Sequence, residues 1–248
     1  MPEQFVHARL KIERANKHIA DVKSLLSTLA SSYVSTIELN PQPPYNEAIK
    51  HDICNRDKLV AELALLTGDA VHNLKCALDY AWIGIVERLI PSALGDFTNF
   101  PVRSTEDQLK AALKGLQINS CAPALFDRIV RDIRPYNGGN DSIWAIHRLD
   151  ILDKHKLLIP VIEFVAITGI EVENESGEIK RNGFTWRTPK KAPFYIPIPP
   201  GWHVRNKGQL TTGVVFDERT PVQDMQVSDM LSAFAIQTIN AVDLLEYL

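Results

Sequence analysis

The chain has 248 residues, of which 45% are hydrophobic and 23% are charged, and its formal net charge is −3. This composition supports a sizeable hydrophobic core and argues against both a polybasic nucleic-acid coat and an acidic tail. The three cysteines, Cys54, Cys76 and Cys121, are widely spaced and form no C-x-x-C pair. They argue against a disulfide framework or a cysteine-based zinc site, and they favour a reducing cytosol.

No segment has the pattern of a signal peptide or a membrane span. The N-terminal stretch MPEQFVHARLKIERANKHI carries charges where a signal peptide needs apolar residues. The longest apolar run, residues 157–170, contains Pro160 and Glu163 and is too short to cross a bilayer. We therefore expect a cytoplasmic protein with no membrane partner.

The first 160 residues are predicted to be mainly helical, because their apolar residues recur at helical spacing. Ser104 and Asp107 resemble a capping box at the start of one helix. Asp141 or Ser142 is the expected N-cap of another helix, which follows an NGGN turn. In chain order we predict a helix over 5–29, a short strand over 33–39, and helices over 57–89, 104–114, 124–134 and 143–158.

The next part of the chain changes character and is rich in β-branched residues, Gly and Pro. Thr220 and Pro221 then have the form of a cap followed by proline at the first position of a last helix, which runs to Leu248. We predict a single α+β domain, with a helical bundle from 1–160 and 220–248 and one antiparallel sheet inserted at about 161–219. The predicted strands of that sheet are 161–172, 184–187, 194–198 and 210–216.

Two polar segments stand inside predicted buried helices, namely GDAVHNLKCALDY at 68–80 and IHRLDILDKHKLL at 146–158. Charged groups in such places are costly to desolvate unless they are paired, so these segments predict a polar network or a site. At about 100° per residue, His72 and Asp79 share one side of the first helix, and Arg148 and His155 share a flank of the second. Antiparallel packing of the two helices would bring these groups together.

The two segments resemble a widespread group of bacterial and phage-borne proteins whose activity is not settled. These proteins carry a GDAxHNLRxALD-type stretch and, after a proline-tyrosine step, an LDxxDKHR-type stretch; Pro135 and Tyr136 supply that step here. A weaker likeness is to the HEPN superfamily, helical domains that include RNA-cleaving toxins and defence proteins. Their mark is an Arg and a His a few residues apart on one helix, and Arg148 and His155 match it with six residues between them. Leu149 departs from the polar residue that often follows the HEPN arginine.

The likeness to HEPN domains implies a metal-independent endoribonuclease or an RNA-binding protein. His155 would transfer the proton, and Arg148 would stabilise the charge that develops on the phosphate. The predicted catalytic residues are Arg148, His155, His72 and Asp79. The predicted supporting network consists of Asn73, Lys75, Asp150, Asp153 and Lys154.

Two other interpretations of the same residues stay open. In the first, the protein is a non-catalytic structural or interaction protein, and pairs such as Asp150 with Lys154 only hold helices together. In the second, it is a metal-dependent hydrolase in which His72, Asp79, His155 and Asp150 bind a divalent ion. No H-E-x-x-H spacing or phosphate-binding glycine loop is present, so we expect neither a bound metal nor a cofactor.

Residues 180–207 contain seven basic residues, no acidic residue and several aromatic ones. Aromatic groups among basic ones are typical of surfaces that bind single-stranded nucleic acid. The alternative is a set of surface hairpins whose charges face the acidic residues of 171–178. RNA is therefore the predicted partner, and a homo-oligomer is possible. The candidate nucleic-acid-binding residues are Arg181, Trp186, Arg187, Lys190, Lys191, Trp202 and Arg205.

Overall fold

The computed structural model describes residues 3–29, 31–42, 44–91, 98–158, 160–191 and 193–248, and all of their side chains except those of Phe164 and residues 184–191. The chain divides into two compact units. The helical unit comprises Met1–Val22, Ala64–Leu158 and Asp217–Leu248, and the sheet unit comprises Lys23–Leu63 and Ile159–Phe216. The prediction of one domain stays a prediction.

Helices and strands are both abundant, with 54% of the chain helical and 24% in strands, so the predicted α+β class is confirmed. Within the described residues, no helix combines the length and the apolar character needed to cross a membrane. The helices are α1 (Glu3–Leu29), α2 (Arg56–Leu89), α3 (Glu106–Gly115), α4 (Ile118–Cys121), α5 (Pro123–Asp127), α6 (Asp141–His155) and α7 (Val227–Glu246). The strands are β1 (Tyr33–Leu39), β2 (Glu47–Ile53), β3 (Val161–Asn174), β4 (Ile179–Lys191), β5 (Phe194–Ile198) and β6 (Trp202–Val215).

The core of the helical unit lies between α1, α2, α7 and the short helices that follow α3. Phe5 and Trp82 are fully buried in it, and the Trp82 ring meets the Phe100 ring edge-on. Val242 and Leu245 of α7 belong to the same core, so the last helix packs with the first ones as predicted. The predicted apolar face of α2 is buried as well, since Leu78 belongs to this core and Leu74 is fully buried.

The prediction of one antiparallel sheet is wrong, because the described strands form two three-stranded antiparallel sheets, ordered β1-β2-β5 and β4-β3-β6. The first sheet includes β1 and β2, which precede α2 in the chain, and β2 was not predicted. Its sequence EAIKHDI contains only two isoleucines among charged residues, so it lacks a clear alternating pattern. Strand β5 has its predicted bounds, whereas β4 and β6 are longer than predicted.

Several predicted helix ends are also corrected. The N-cap of α3 is Thr105, whose side chain accepts from the Gln108 N–H, and not Ser104. The N-cap of α6 is Asn140, which accepts from the Ile143 N–H, so α6 begins before the predicted residue and ends at His155. The last helix begins at Val227, because Thr220 bonds back to the Asp217 carbonyl in a turn instead of capping a helix.

The predicted helix over 124–134 is also irregular. It begins as α5 and continues as a π-helical segment, Arg128–Ile133, which ends where Arg134 adopts a left-handed conformation. A further short helix, α4, precedes it and was not predicted.

A glycine allows α2 and α6 to approach closely. A Cβ atom on Gly68 would lie 2.6 Å from Oδ2 of Asp153, so the Asp153 carboxylate occupies the space that a side chain would fill. The same carboxylate accepts from the Leu158 N–H at 3.2 Å, just beyond the end of α6. Burial raises the pKa of Asp153, and the bond from Leu158 partly opposes that effect. Gly68 and Asp153 therefore set the spacing of the two polar segments.

We expect Gly68→Ala to destabilise the fold by roughly 1–3 kcal/mol, because the added methyl group must displace a carboxylate that is held by a backbone N–H. Gly115→Ala is the matched control, since a Cβ at that helical position has no described atom within 4 Å. It should leave stability unchanged or slightly raised. Chemical denaturation of the two variants measures both effects, and equal stabilities would contradict the close approach.

Candidate functional site

The two polar segments meet where α2 and α6 pack together. Asp150 of α6 is buried, with 3% of its side chain exposed. Its Oδ1 is 2.8 Å from Nδ1 of His72 on α2, and its Oδ2 accepts from Nζ of Lys154 at 2.7 Å. The bond to Asp150 raises the pKa of Lys154. One buried carboxylate thus joins the two helices and fixes a histidine and a lysine.

Asp79 supports the fold from the same side of α2. Lys75, whose side chain is only 5% exposed, donates to Oδ1 of Asp79 one helical turn away. The same oxygen accepts from the backbone N–H of Phe100 at 2.7 Å. The predicted catalytic residue Asp79 therefore has two structural partners, and one of them holds the segment after residue 98 against α2.

The other ring nitrogen of His72 faces a thiol. Nε2 of His72 lies 3.4 Å from Sγ of Cys76, which follows four residues later on α2. Because the Asp150 carboxylate can only accept, Nδ1 of His72 carries the hydrogen and Nε2 presents a lone pair to the thiol. The side chain of His72 is 48% exposed, and Cys76 is half-buried.

A cavity of about 500 Å³ opens beside these residues. Three cationic side chains line it, namely Lys75, Arg103 and Lys154, together with His147 and Asp150. Arg103 is exposed and donates to the Val102 carbonyl, and it has no carboxylate within ion-pair distance among the described residues. The cavity therefore carries a positive charge that the described carboxylates do not fully compensate.

The pKa of His147 reflects both its burial and the positive charges around the cavity. Burial lowers its pKa to about 4, and the charges of Lys75, Arg148 and Arg103 act in the same direction, while Asp150 opposes them. The ring is therefore neutral at pH 7. Its Nδ1 is buried and has no hydrogen-bond partner among the described residues. A buried nitrogen of this kind usually has a hydrogen-bond partner.

Arg148 and His155 lie on the exposed flank of α6. Neither lines the cavity, but Ile151, which does, is three residues from Arg148 and four from His155. Residues at these spacings are neighbours on a helix surface, so the pair borders the cavity. Its predicted catalytic role stays a prediction.

Asn73 lies apart from the cavity. It accepts from Nζ of Lys11 at 3.2 Å and donates to the Asp69 carbonyl at 2.7 Å. Asn73 and Lys11 instead line a shallower depression beside α1, together with His7 and Arg14. Asn73 therefore connects α1 with α2 and does not reach Asp150.

The metal-binding alternative required His72, Asp79, Asp150 and His155 to converge. In the part of the chain that the structure describes, no group of three or more His, Cys, Asp or Glu side chains is arranged to hold a metal ion.

Two of the seven candidate nucleic-acid residues of the sheet unit are paired with upstream acidic residues. Arg181 donates to Glu171 at 2.6 Å, and Arg205 is 3.5 Å from Glu173. Trp202 packs under the ammonium group of Lys180, 4.3 Å from its ring centroid. The side chains of Trp186, Arg187, Lys190 and Lys191 lie outside the described ones, so their role stays a prediction.

Comparisons of the chain with protein-family models, with curated proteins and with solved structures find no match. The site is therefore interpreted from its geometry alone.

Three residues of this geometry were not among the predicted site residues. Cys76 is four residues from His72, and this spacing could have identified the pair, since such residues face each other on a helix. His147 stands in the apolar arc of α6. Its sequence position does not show that Nδ1 lacks a partner, because this is a property of the folded structure. Arg103 comes from a segment without periodicity, and nothing in its sequence context indicates where its side chain lies.

We expect Asp79→Ala to destabilise the fold by roughly 1–3 kcal/mol, because it leaves a buried lysine without a counter-charge and a backbone N–H without an acceptor. The double variant Lys75→Met with Asp79→Leu should lose less, since it removes the buried charge together with its partner. Urea denaturation measures both. A loss of a few tenths of a kcal/mol for Asp79→Ala would show that Asp79 is a solvated surface charge.

Proposed function

We propose that the chain binds RNA through its phosphates at the cationic cavity of the helical unit and cleaves it without a metal ion. The observation that supports this proposal is the convergence of two exposed cations, Arg103 and Lys154, on one cavity of about 500 Å³. Arginine and lysine are the groups that hold nucleic-acid phosphates, and arginine does so in bidentate fashion.

His147 adds a feature that suits a ribonucleotide. Burial lowers the pKa of His147 to about 4, so the ring is neutral at pH 7. It therefore serves as a neutral hydrogen-bonding group and not as one of the cations that bind the phosphate. His147 lines the cavity, and a turn of its ring would bring the buried, unpartnered Nδ1 to a ligand group. A 2′-hydroxyl is both donor and acceptor, and it is the group that distinguishes RNA from DNA. The cavity thus offers charge for a phosphate and a neutral polar atom for the adjoining sugar.

The reacting pair of the proposal is Arg148 with His155, which borders the cavity through Ile151. A strand whose phosphate is held by Arg103 and Lys154 would place a neighbouring phosphodiester over this exposed flank of α6. His155 would transfer the proton there, and Arg148 would meet the charge that builds on the phosphate. In this proposal Asp79 and Asp153 support the fold, a role that is favoured by their bonds to Lys75 and to the N–H groups of Phe100 and Leu158.

A second candidate function is the predicted non-catalytic network. The pairing of buried Lys75 with Asp79 and the Phe100 N–H favours it, because these contacts are closed and need no ligand. The two functions differ in what they require of the exposed cations, since among the described residues no carboxylate of the network pairs with Arg103, which donates only to the Val102 carbonyl.

Arg103→Ala and Lys154→Ala should each weaken binding of a labelled single-stranded RNA, measured by fluorescence anisotropy as a function of salt. Each variant should also reduce the slope of log affinity against log salt, by the amount that corresponds to the loss of about one phosphate contact. Lys17→Ala is the charge-matched control, because Lys17 is exposed on α1 and does not line the cavity. Absence of binding at low salt, or equal affinities for all three variants, would favour the non-catalytic network.

His155→Ala and Arg148→Ala should each slow RNA cleavage in the presence of EDTA by about two orders of magnitude, with little change in stability. The control is His7→Ala, which removes a half-buried histidine of α1 that does not line the cavity. Gel analysis of a labelled RNA measures the rates. Full activity of His155→Ala would contradict the catalytic role of Arg148 and His155. The proposal that the cavity binds RNA would still be tested by fluorescence anisotropy.

Bound RNA should raise the pKa of His147 above its value of about 4, because a phosphate stabilises the imidazolium that burial and the neighbouring cations disfavour. NMR titration of the histidine ring protons with and without a short RNA measures the shift. His51 is the internal control, since burial in the sheet unit also lowers its pKa to about 4. Equal behaviour of the two histidines would contradict a phosphate site beside His147.

A further inference from the structure

Three side chains at the junction of α2 and α6 form a connected series. Sγ of Cys76 lies 3.4 Å from Nε2 of His72, and Nδ1 of His72 lies 2.8 Å from Oδ1 of Asp150. Asp150 is itself fixed, because its second oxygen accepts from Lys154 at 2.7 Å. A thiol, a base and a group that orients the base thus stand in the order that nucleophilic catalysis requires.

We propose that Cys76 is a nucleophile activated by His72 and Asp150, and that it performs acyl transfer on small activated esters or thioesters. This activity goes beyond the proposed RNA chemistry and uses neither Arg148, His155 nor Arg103. The hydrogen on Nδ1 donates to Asp150, which leaves the Nε2 lone pair directed at the thiol. His72 is therefore in the tautomer that a general base needs.

The charges around the thiol decide how it is activated. Burial raises the pKa of Cys76, and Asp79 and Asp150 act in the same direction, while Lys11 of α1 and Lys75 oppose them. The group therefore rests as a thiol and not as a preformed thiolate. Its proton leaves only as the sulfur attacks, which makes His72 a participant in the step and not merely a neighbour.

The reaction balances without an added oxidant, reductant or metal. Sγ bonds to the carbonyl carbon as the thiol proton moves to Nε2 of His72, and the carbonyl π pair moves to oxygen. Collapse of this intermediate breaks the bond to the leaving alcohol or thiol, which takes the proton from His72. Water then attacks the thioester, His72 accepts its proton, and the C–S bond breaks to restore the thiol and release the acid.

Lys154 is placed to assist the charged intermediate. Its side chain is 55% exposed, and its charge interacts electrostatically with Cys76 as well as with Asp150. A cation beside the attacking sulfur stabilises the negative oxygen that forms there. The His72 side chain is 48% exposed and Cys76 is half-buried, so part of this pair lies at the protein surface.

The test compares three thiols within one molecule, because Cys54 and Cys121 are both exposed and serve as internal controls. The full chain is treated with limiting iodoacetamide, and the rate at each cysteine is followed by peptide mass spectrometry. Cys76 should be alkylated roughly tenfold or more faster than the two exposed cysteines, although burial raises its pKa. His72→Gln should abolish this advantage and leave the rates at Cys54 and Cys121 unchanged.

The acyl step is tested with p-nitrophenyl acetate on a variant that retains only Cys76, made by Cys54→Ser and Cys121→Ser. We expect a burst of about one nitrophenol per chain and one acetyl group on Cys76. Circular dichroism is the control for folding, and we expect the spectrum of His72→Gln to match that of the unchanged protein. Alkylation of Cys76 no faster than the controls, or unchanged by His72→Gln, would overturn the activation; a burst without acetyl on Cys76 would overturn the acyl transfer.

Cys76→Ser separates this proposal from the RNA function. It should lose the acetyl adduct and keep its affinity for labelled RNA, because Cys76 does not line the cationic cavity. Loss of RNA binding in Cys76→Ser would show that the thiol belongs to the RNA site, and the proposal of a separate activity would then be wrong.

Discussion

The buried carboxylate of Asp150 is the interaction on which the arrangement of α2 and α6 depends. An ionised carboxylate at a helix interface costs several kcal/mol to desolvate unless hydrogen bonds compensate it. His72 of α2 and Lys154 of α6 supply those bonds, one to each oxygen. Because the partners come from both helices, the need to satisfy one charge fixes the position of the helices and the orientation of the histidine together.

The polar junction divides into a closed part and an open part. Lys75, Asp79 and the Phe100 N–H satisfy one another, and Asp153 fills the space beside Gly68. These contacts explain why charged residues stand among leucines without requiring a ligand. Arg103, His147 and the exposed head of Lys154 have charge or hydrogen-bonding capacity that the described protein atoms do not use. The open part is therefore the part of the junction that has groups available to bind a ligand.

The long helices could be predicted because they have long apolar faces, whereas α4 has only four residues and was not predicted. The two polar segments were recognisable for the opposite reason, since their charges interrupt those faces. Caps were less predictable, because Ser104 and Thr105 are chemically equivalent candidates and only the backbone geometry selects Thr105. Strand β2 could not be found, since its pairing with β1 and β5 is non-local and its own sequence lacks a regular alternation.

The candidate site could be located from the sequence only as far as α2 and α6. Asp150 and Lys154 follow from an i,i+4 spacing, whereas the contact of Asp150 with His72 joins residues 78 positions apart and requires the tertiary fold. The basic segment of the sheet unit was harder to interpret. Its charges stand opposite glutamates whose register depends on the hairpin, and the pairs of Arg181 with Glu171 and Arg205 with Glu173 appear only in the folded sheet.

The two proposed activities meet at one residue, because Asp150 supports both Lys154 and His72. A phosphate that attracts the Lys154 ammonium weakens its bond to Oδ2 and leaves the carboxylate less compensated. The carboxylate is then left with His72 as its principal partner, and this bond keeps Nε2 of the ring directed at Cys76. Linkage is reciprocal, so a change of the charge at Asp150 would act on the phosphate cavity and on the pair of Cys76 with His72 together, whereas Cys76→Ser leaves that charge in place. The coupling requires no movement of either helix, only a shared counter-ion.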